Sequence, residues 1–368
     1  MNIKNKMKKV ILRGIILNSS DKNLINILPK SFDNDINIEW YNCNVDSIQK
    51  IKLYTEGVAN LYSRVNLIIG NPFDEFISAN ELISEFKESL IHYVAHCTQL
   101  YNIDKEMAYQ ARVLVTTSAG YATKSVAQDI ITKILCLCAN ANKKMLKARE
   151  QVLSNGKFTN NLGEDPGVLD IFSAKTKLGI IGYGRIGSLV GEKISALGAT
   201  VLAYKRARAG VESRAEENLS YVLRESDILL VNLPLTEETR FFIGKKELQL
   251  MKDGVLIINC SRAPVFDNQA LADALINGKV AQVAIDVPYD DSLLPILKSE
   301  YQDRILISRF DAWNYPSSNS EFYKICEQNI LNTFQIERIA RERLYNMPNF
   351  EISTLREFAD RLRIKCAD

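Results

Sequence analysis

Apolar residues along the chain recur in two rhythms: short runs of strand length, and longer stretches with an apolar position every three to four residues. In the first third, Val10–Leu17, Ile36–Tyr41, Val65–Ile69, His92–Cys97 and Val113–Thr117 are short apolar runs that predict strands. Between them, Asp46–Leu61, Ala79–Leu90 and Asp104–Gln110 carry helical spacing. This alternation implies βαβ units and a parallel sheet. One long helical pattern follows, from Thr123 to about Val152, and the polar stretch Asn155–Ile171 reads as a loop over the surface.

The same rhythm resumes after the loop. Lys177–Ile181 is a buried strand that runs into Gly182-Tyr183-Gly184-Arg185-Ile186-Gly187. Ile186, Val190, Ile194 and Leu197 then recur at helical spacing until Gly198, and Thr200–Tyr204 is the next strand. Further strands are predicted at Ser226–Asn232, Gly254–Asn259, Val280–Ile285 and Arg304–Ser308, with a helix over Asp267–Asn277. Near the end of the chain, Leu355, Phe358, Leu362 and Ile364 suggest a short amphipathic helix.

The glycine turn is where pattern becomes chemistry. Its strand–turn–helix–strand context is the one a dinucleotide fingerprint requires. Gly182 permits the tight turn, Gly184 lets the backbone approach a pyrophosphate, and Gly187 lets helix and strand pack closely. The phosphates are expected on the free N–H groups at the start of the helix, at the positive end of its dipole. NAD sites place an acidic residue about 20 residues past the glycines, for the ribose 2′-hydroxyl. Here that place holds Lys205, followed by Arg206 and Arg208, so three cations stand where a 2′-phosphate would lie. NADP is therefore favoured over NAD.

Composition narrows the classes further. With 368 residues the chain is long enough for two domains. A hydrophobic content of 46% and a charged content of 24% are those of a soluble globular protein, and a net charge of +2 gives no reason to expect nucleic acid or anionic membrane as a partner. No apolar run approaches membrane-spanning length. Seven cysteines without a CxxC pair, and only two histidines, His92 and His96, point to reduced thiols, a cytoplasmic address and no structural zinc or other metal.

Several segments together resemble the D-isomer-specific 2-hydroxyacid dehydrogenases over roughly residues 65 to 345: Gly120-Tyr-Ala-Thr-Lys-Ser-Val-Ala127, GIIGYGRIG at 179–187, NLPLTEETR at 232–240, NCSR at 259–262 and AIDV at 284–287. The resemblance implies two α/β domains with doubly wound parallel sheets, Rossmann-like and flavodoxin-like. A nucleotide domain (148–310) is inserted into a discontinuous substrate domain (1–147 and 311–368). It also implies a homodimer acting on a small-molecule substrate. The amides near Arg185 and Ile186, with Pro234, Thr239, Cys260 and Asp286, would line the dinucleotide, and Arg262 would hold the substrate's oxygens beside the nicotinamide.

Against that pattern the chain departs at the proton donor. The family protonates the new alkoxide from a His supported by a Glu. Here the sequence reads Ser308-Arg309-Phe310-Asp311-Ala312-Trp313, with Phe310 at the His position and Asp291 at the Glu. The carboxylate-binding loop matches Cys97-Thr98-Gln99 and is also altered. Arg262 and Asp291 are the catalytic candidates, while Asp311, Tyr315 and His96 are the groups near enough in sequence or loop to replace the lost acid. Two readings follow. One is an NADP-dependent oxidoreductase with an altered substrate, such as an imine, whose nitrogen needs no proton donor. The other is an inactive nucleotide-binding sensor or scaffold on the same fold.

Overall fold

Burying the apolar runs on both faces produces two six-stranded sheets. The structure, a computed structural model, describes residues 10–17, 28, 30–32, 36–43, 45, 47–58, 61, 65–70, 77–97, 103–157, 168–204, 219–287, 293–299 and 301–334. The chain divides into two units, Met1–Tyr121 with Asn319–Asp368, and Ala122–Ser318.

The first unit contains β1 (Val10–Leu17), β2 (Ser31–Phe32), β3 (Ile36–Cys43), α1 (Ile48–Gly57), β4 (Val65–Gly70), α2 (Ala79–Glu85), β5 (His92–Ala95), α3 (Lys105–Gln110) and β6 (Leu114–Thr117). Its strand order is β2-β3-β1-β4-β5-β6, parallel apart from the short edge strand β2. Adjacent residues go to opposite faces, as the period of two demands. Ile15, Ile68 and Tyr93 enter one core, and Ile16, Leu67 and Val94 enter the other. Helices start where the sequence supplies caps: Ser78 and Glu81 form a capping box on α2, and Asp104 caps α3.

In the second unit the order is α4 (Thr123–Cys138), α5 (Ala141–Asn155), β7 (Lys177–Ile181), α6 (Arg185–Leu197), β8 (Thr200–Tyr204), α7 (Leu219–Glu225), β9 (Ile228–Val231), α8 (Lys245–Leu250), β10 (Val255–Asn259), α9 (Asn268–Ile276), β11 (Val280–Ile285), α10 (Leu294–Leu297) and β12 (Ile305–Ile307). The all-parallel sheet is ordered β12-β11-β10-β9-β7-β8, so the winding reverses between β7 and β9. Ile181, Leu229, Ile257 and Val283 fill one face, and Ile180, Leu230, Ile258 and Ala284 fill the other. A last helix, α11 (Pro316–Phe334), begins at the end of this unit and sends Phe322, Tyr323, Cys326 and Ile330 into a core of the first.

Two differences from the sequence reading have local causes. The long helical pattern is broken into α4 and α5 at Asn140, which takes a left-handed conformation (φ 50°, ψ 37°) that Asn tolerates better than most residues. The division at 121/122 and 318/319 also puts residues 122–147 and 311–318 in the second unit, not with the N-terminal segment. Burial explains this, because Ala127, Ile130, Ile134 and Leu137 of α4 belong to the same core as Val190 and Ile194 of α6. The proposed C-terminal helix lies outside the described residues. Among the described residues no helix is long and apolar enough to cross a membrane.

Candidate functional site

The glycine turn joins β7 to α6 at the point where the sheet reverses direction, the place where open α/β sheets bind ligands. Each glycine has a separate steric reason. Gly182 sits at φ 101°, and a Cβ there would come within 2.3 Å of the Asn232 carbonyl oxygen. A Cβ on Gly187 would come within 2.4 Å of the Gly182 oxygen, so only glycine lets α6 pack this close to β7. At Gly184 the result is the opposite: a Cβ would meet no heavy atom within 4 Å. Gly184 is the N-cap of the 13-residue α6, no side chain caps it, and no acidic residue occupies the first turn. The amides of exposed Arg185 and half-buried Ile186 follow. A helix N-terminus left open by its own side chains, with backbone clear of neighbours, fits a pyrophosphate.

Other predicted residues lie along the carboxyl ends of the adjacent strands. After β9, Thr239 donates its hydroxyl to the Pro234 carbonyl (2.5 Å) and accepts from the Thr236 amide (2.7 Å), which closes the loop. After β10, Asn259 accepts from the Ser261 amide (3.1 Å) and hydroxyl (2.8 Å) and donates to the Arg262 carbonyl (3.2 Å). This fully buried Asn sets the turn that carries Cys260 and Arg262. Burial pushes the Cys260 thiol up, away from thiolate.

After β11, Asp286 is 2% exposed and accepts from the Ser308 hydroxyl and from the amides of Asp311 (3.2 Å) and Ala312 (3.0 Å). A buried carboxylate needs such donors. In return it fixes the loop 308–312. That loop presents Phe310, held at φ 60° and 40% exposed, to Arg262, whose guanidinium carbon lies 5.7 Å from the ring centroid. Arg262 also donates to the Ser261 carbonyl (2.7 Å). Among the described residues no carboxylate pairs with Arg262. Asp291, Lys205, Arg206, Arg208, Thr98 and Gln99 lie outside the described residues.

Neither histidine is a neutral-pH acid. His92 is fully buried, meets the Thr116 hydroxyl at 2.8 Å, and is pulled down to about 3 by burial. His96 stacks on Phe322 (3.9 Å between centroids), meets Tyr121 edge-on (5.1 Å), and is pulled down to about 4 by burial. What the sequence reading missed is a polar stripe on α4. Ser125, Asp129 and Lys133 are spaced four residues apart on a helix that packs on β10 and β11. Ser125 bonds the Ser318 hydroxyl, and Asp129 pairs with Lys133, which is 4% exposed. Burial draws the Lys133 ammonium down, but the Asp129 hydrogen bond and the charges of Asp129 and Asp286 outweigh it and leave its pKa raised. Among the described residues no cluster of His, Cys, Asp or Glu could hold a metal ion.

Comparison with known proteins agrees with this geometry. The family model for the D-isomer specific 2-hydroxyacid dehydrogenase NAD binding domain matches residues 135–306. Over these residues the chain is similar to the NAD binding domain of that dehydrogenase family. Similar proteins include a glyoxylate reductase of Aeropyrum pernix, 36% identical over 202 residues (53% of this chain, 58% of the relative). A hydroxypyruvate reductase of Blautia hydrogenotrophica is 34% identical over 206 residues (54% and 61%). The chain thus spans about three fifths of the length of these curated relatives. Among solved structures, the NAD-complexed dehydrogenase of Lactobacillus delbrueckii ssp. bulgaricus superposes with a TM-score of 0.66 at 20% identity, covering 87% of this chain and 96% of its own. An acyclic imino acid reductase in complex with NADPH and D-Arg gives a TM-score of 0.66 at 18% identity, with coverage of 87% and 96%. These likenesses show the two-domain fold.

Proposed function

We propose that the protein is a nicotinamide-dependent oxidoreductase that prefers NADPH and reduces a small molecule at a C=O or C=N bond without the family's His–Glu proton donor. The observation that carries the cofactor half is the open N-terminus of α6 at Gly184. Arg185 and Ile186 amides would hold the pyrophosphate, Lys205, Arg206 and Arg208 the 2′-phosphate, and Pro234, Thr239, Cys260 and Asp286 the remainder. Bound NADPH supplies hydride to the substrate carbon and is left as NADP⁺. Arg262 would hold substrate oxygens, with Asp291 as its partner carboxylate. Phe310, beside Arg262, makes one wall of the pocket apolar. We read the protein as a cytoplasmic homodimer.

The other reading, an inactive sensor or scaffold, draws on the altered donor and on the low pKa of both histidines. Oxidation of NADPH is to be followed with glyoxylate, hydroxypyruvate and pyruvate, each with and without ammonia to form the imine. Turnover of any of them supports the enzyme. NADPH binding with no turnover on the whole series supports the sensor.

A further inference from the structure

Phe310 is unusual for an aromatic residue in two ways. Its backbone is left-handed (φ 60°), a conformation that a side chain with a Cβ resists, and its ring is 40% exposed where an aromatic would ordinarily join a core. Strain of this kind persists only where the surroundings impose it. Here they do so on both sides of the residue. Ahead of it, the Ser308 hydroxyl donates to Asp286 and the Ser308 amide to the Ile285 carbonyl at 3.0 Å. Behind it, the Asp311 and Ala312 amides donate to the same Asp286 carboxylate, at 3.2 and 3.0 Å. The Trp313 indole N–H closes back on the Phe310 carbonyl at 2.9 Å.

What the strained residue reaches is Arg262. The guanidinium carbon lies 5.7 Å from the ring centroid, inside the roughly 6 Å reach of a cation–π attraction. Arg262 is tied down in its own right. Asn259 donates to the Arg262 carbonyl at 3.2 Å, and the guanidinium donates to the Ser261 carbonyl at 2.7 Å. The loops after β10 and β12 thus each hold one member of the pair, so hydrogen-bonded backbone sets the contact. The attraction acts on the charge, and the N–H donors that Ser261 does not use stay available to oxygens of a ligand.

We propose that Phe310 is the positioning residue of Arg262, its ring holding the guanidinium at the carboxyl edge of the sheet in the orientation that receives the substrate's oxygens. This rests on the oxidoreductase reading above, in which Arg262 binds those oxygens. The ring makes and breaks no bond. It removes freedom from a long side chain before the substrate arrives, so less rotamer entropy is lost on binding. That advantage belongs to substrate binding and appears in KM, not in the hydride step.

The experiment uses the full chain with NADPH and glyoxylate or hydroxypyruvate. At position 310, 4-fluoro-, 3,5-difluoro- and 3,4,5-trifluorophenylalanine keep the shape of the ring and drain its π face in steps. Phe310→Leu keeps apolar bulk and has no π face. We expect KM to climb along the series, by roughly 2–30-fold at Phe310→Leu, with kcat within about twofold of wild type and NADPH affinity unchanged. A ring that only fills space would give no such gradient. A second readout needs no turnover. In protein carrying [¹⁵Nε]arginine, the Arg262 signal, identified by its loss in Arg262→Lys, should relax as a rigid group in the wild type and as a mobile one in Phe310→Leu. A KM indifferent to fluorination, or an Arg262 signal equally rigid in Phe310→Leu, would overturn the proposal. A wild-type KM in Arg262→Gln would overturn it too, by removing Arg262 from the substrate, while reduction itself stood. NADPH binding with neither substrate reduced would sink the oxidoreductase reading, and the proposal with it.

Discussion

Phe310 and Asp286 make opposite demands on their loop. Phe310 holds a left-handed backbone that a side chain resists, while its ring stays partly exposed against Arg262. Truncation to Phe310→Ala therefore removes a partly exposed ring that lies against Arg262, not a core side chain. We expect a stability loss well below the roughly 3–5 kcal/mol of a fully buried Phe, with NADPH affinity intact. Thermal melting and cofactor titration of the same variant check both halves. Asp286 is the reverse case, since both carboxylate oxygens accept hydrogen bonds from the 308–312 loop. Asp286→Ala leaves those donors without a partner, at about 1.5–3 kcal/mol for each charge-assisted bond lost. A melting temperature unchanged in Asp286→Ala would contradict this view of the loop. The AIDV segment marked Asp286 in the sequence, but its hold on residues 25 positions later was not legible, because nothing local ties a carboxylate to a distant amide.

At the scale of elements, α6 and its glycine turn separate folding from binding. Gly187→Ala forces a backbone clash at 2.4 Å and should destabilise the second unit, whereas Gly184→Ala has open space and an extended backbone (φ −90°). Gly184→Ala should therefore keep its melting temperature and lose NADPH affinity. A Gly184→Ala protein that binds as well as wild type would show that nothing approaches that backbone. The strand β5 makes a pH prediction. His92 and His96 have folded pKa values of about 3 and about 4, below the ordinary 6.5, so the unfolded chain binds protons first as pH falls. Their contribution is present above about pH 6.5 and is lost as pH drops toward 4. Melting of a His92→Gln, His96→Phe variant should be less pH-dependent across that window. The turn and both its strands were legible because glycine spacing and apolar runs agree there. Helix α4 was less so. Polar residues every fourth position read as a solvated face, and only the packing of α4 on β10 and β11 makes Ser125 and Lys133 interior.

For the whole molecule, two parallel sheets were legible because strands buried on both faces leave uninterrupted apolar runs between helical stretches. The edges of the units were harder to place. A break at one left-handed Asn, and the choice of core that the apolar face of α4 joins, leave no mark in hydrophobic periodicity. If the second unit alone carries the cofactor turn, NADPH at about 100 times its Kd should add about 2.7 kcal/mol to the stability of that unit. Hydrogen exchange should then slow first within residues 122–318. Preference of the nucleotide site for NADPH is read from equilibrium titration of the full chain with NADPH and NADH, with Lys205→Asp, Arg206→Ala as the comparison. We expect tighter NADPH binding by the wild type and a narrowed or reversed preference in the double variant. Equal wild-type affinities for the two cofactors, or binding of neither, would contradict it.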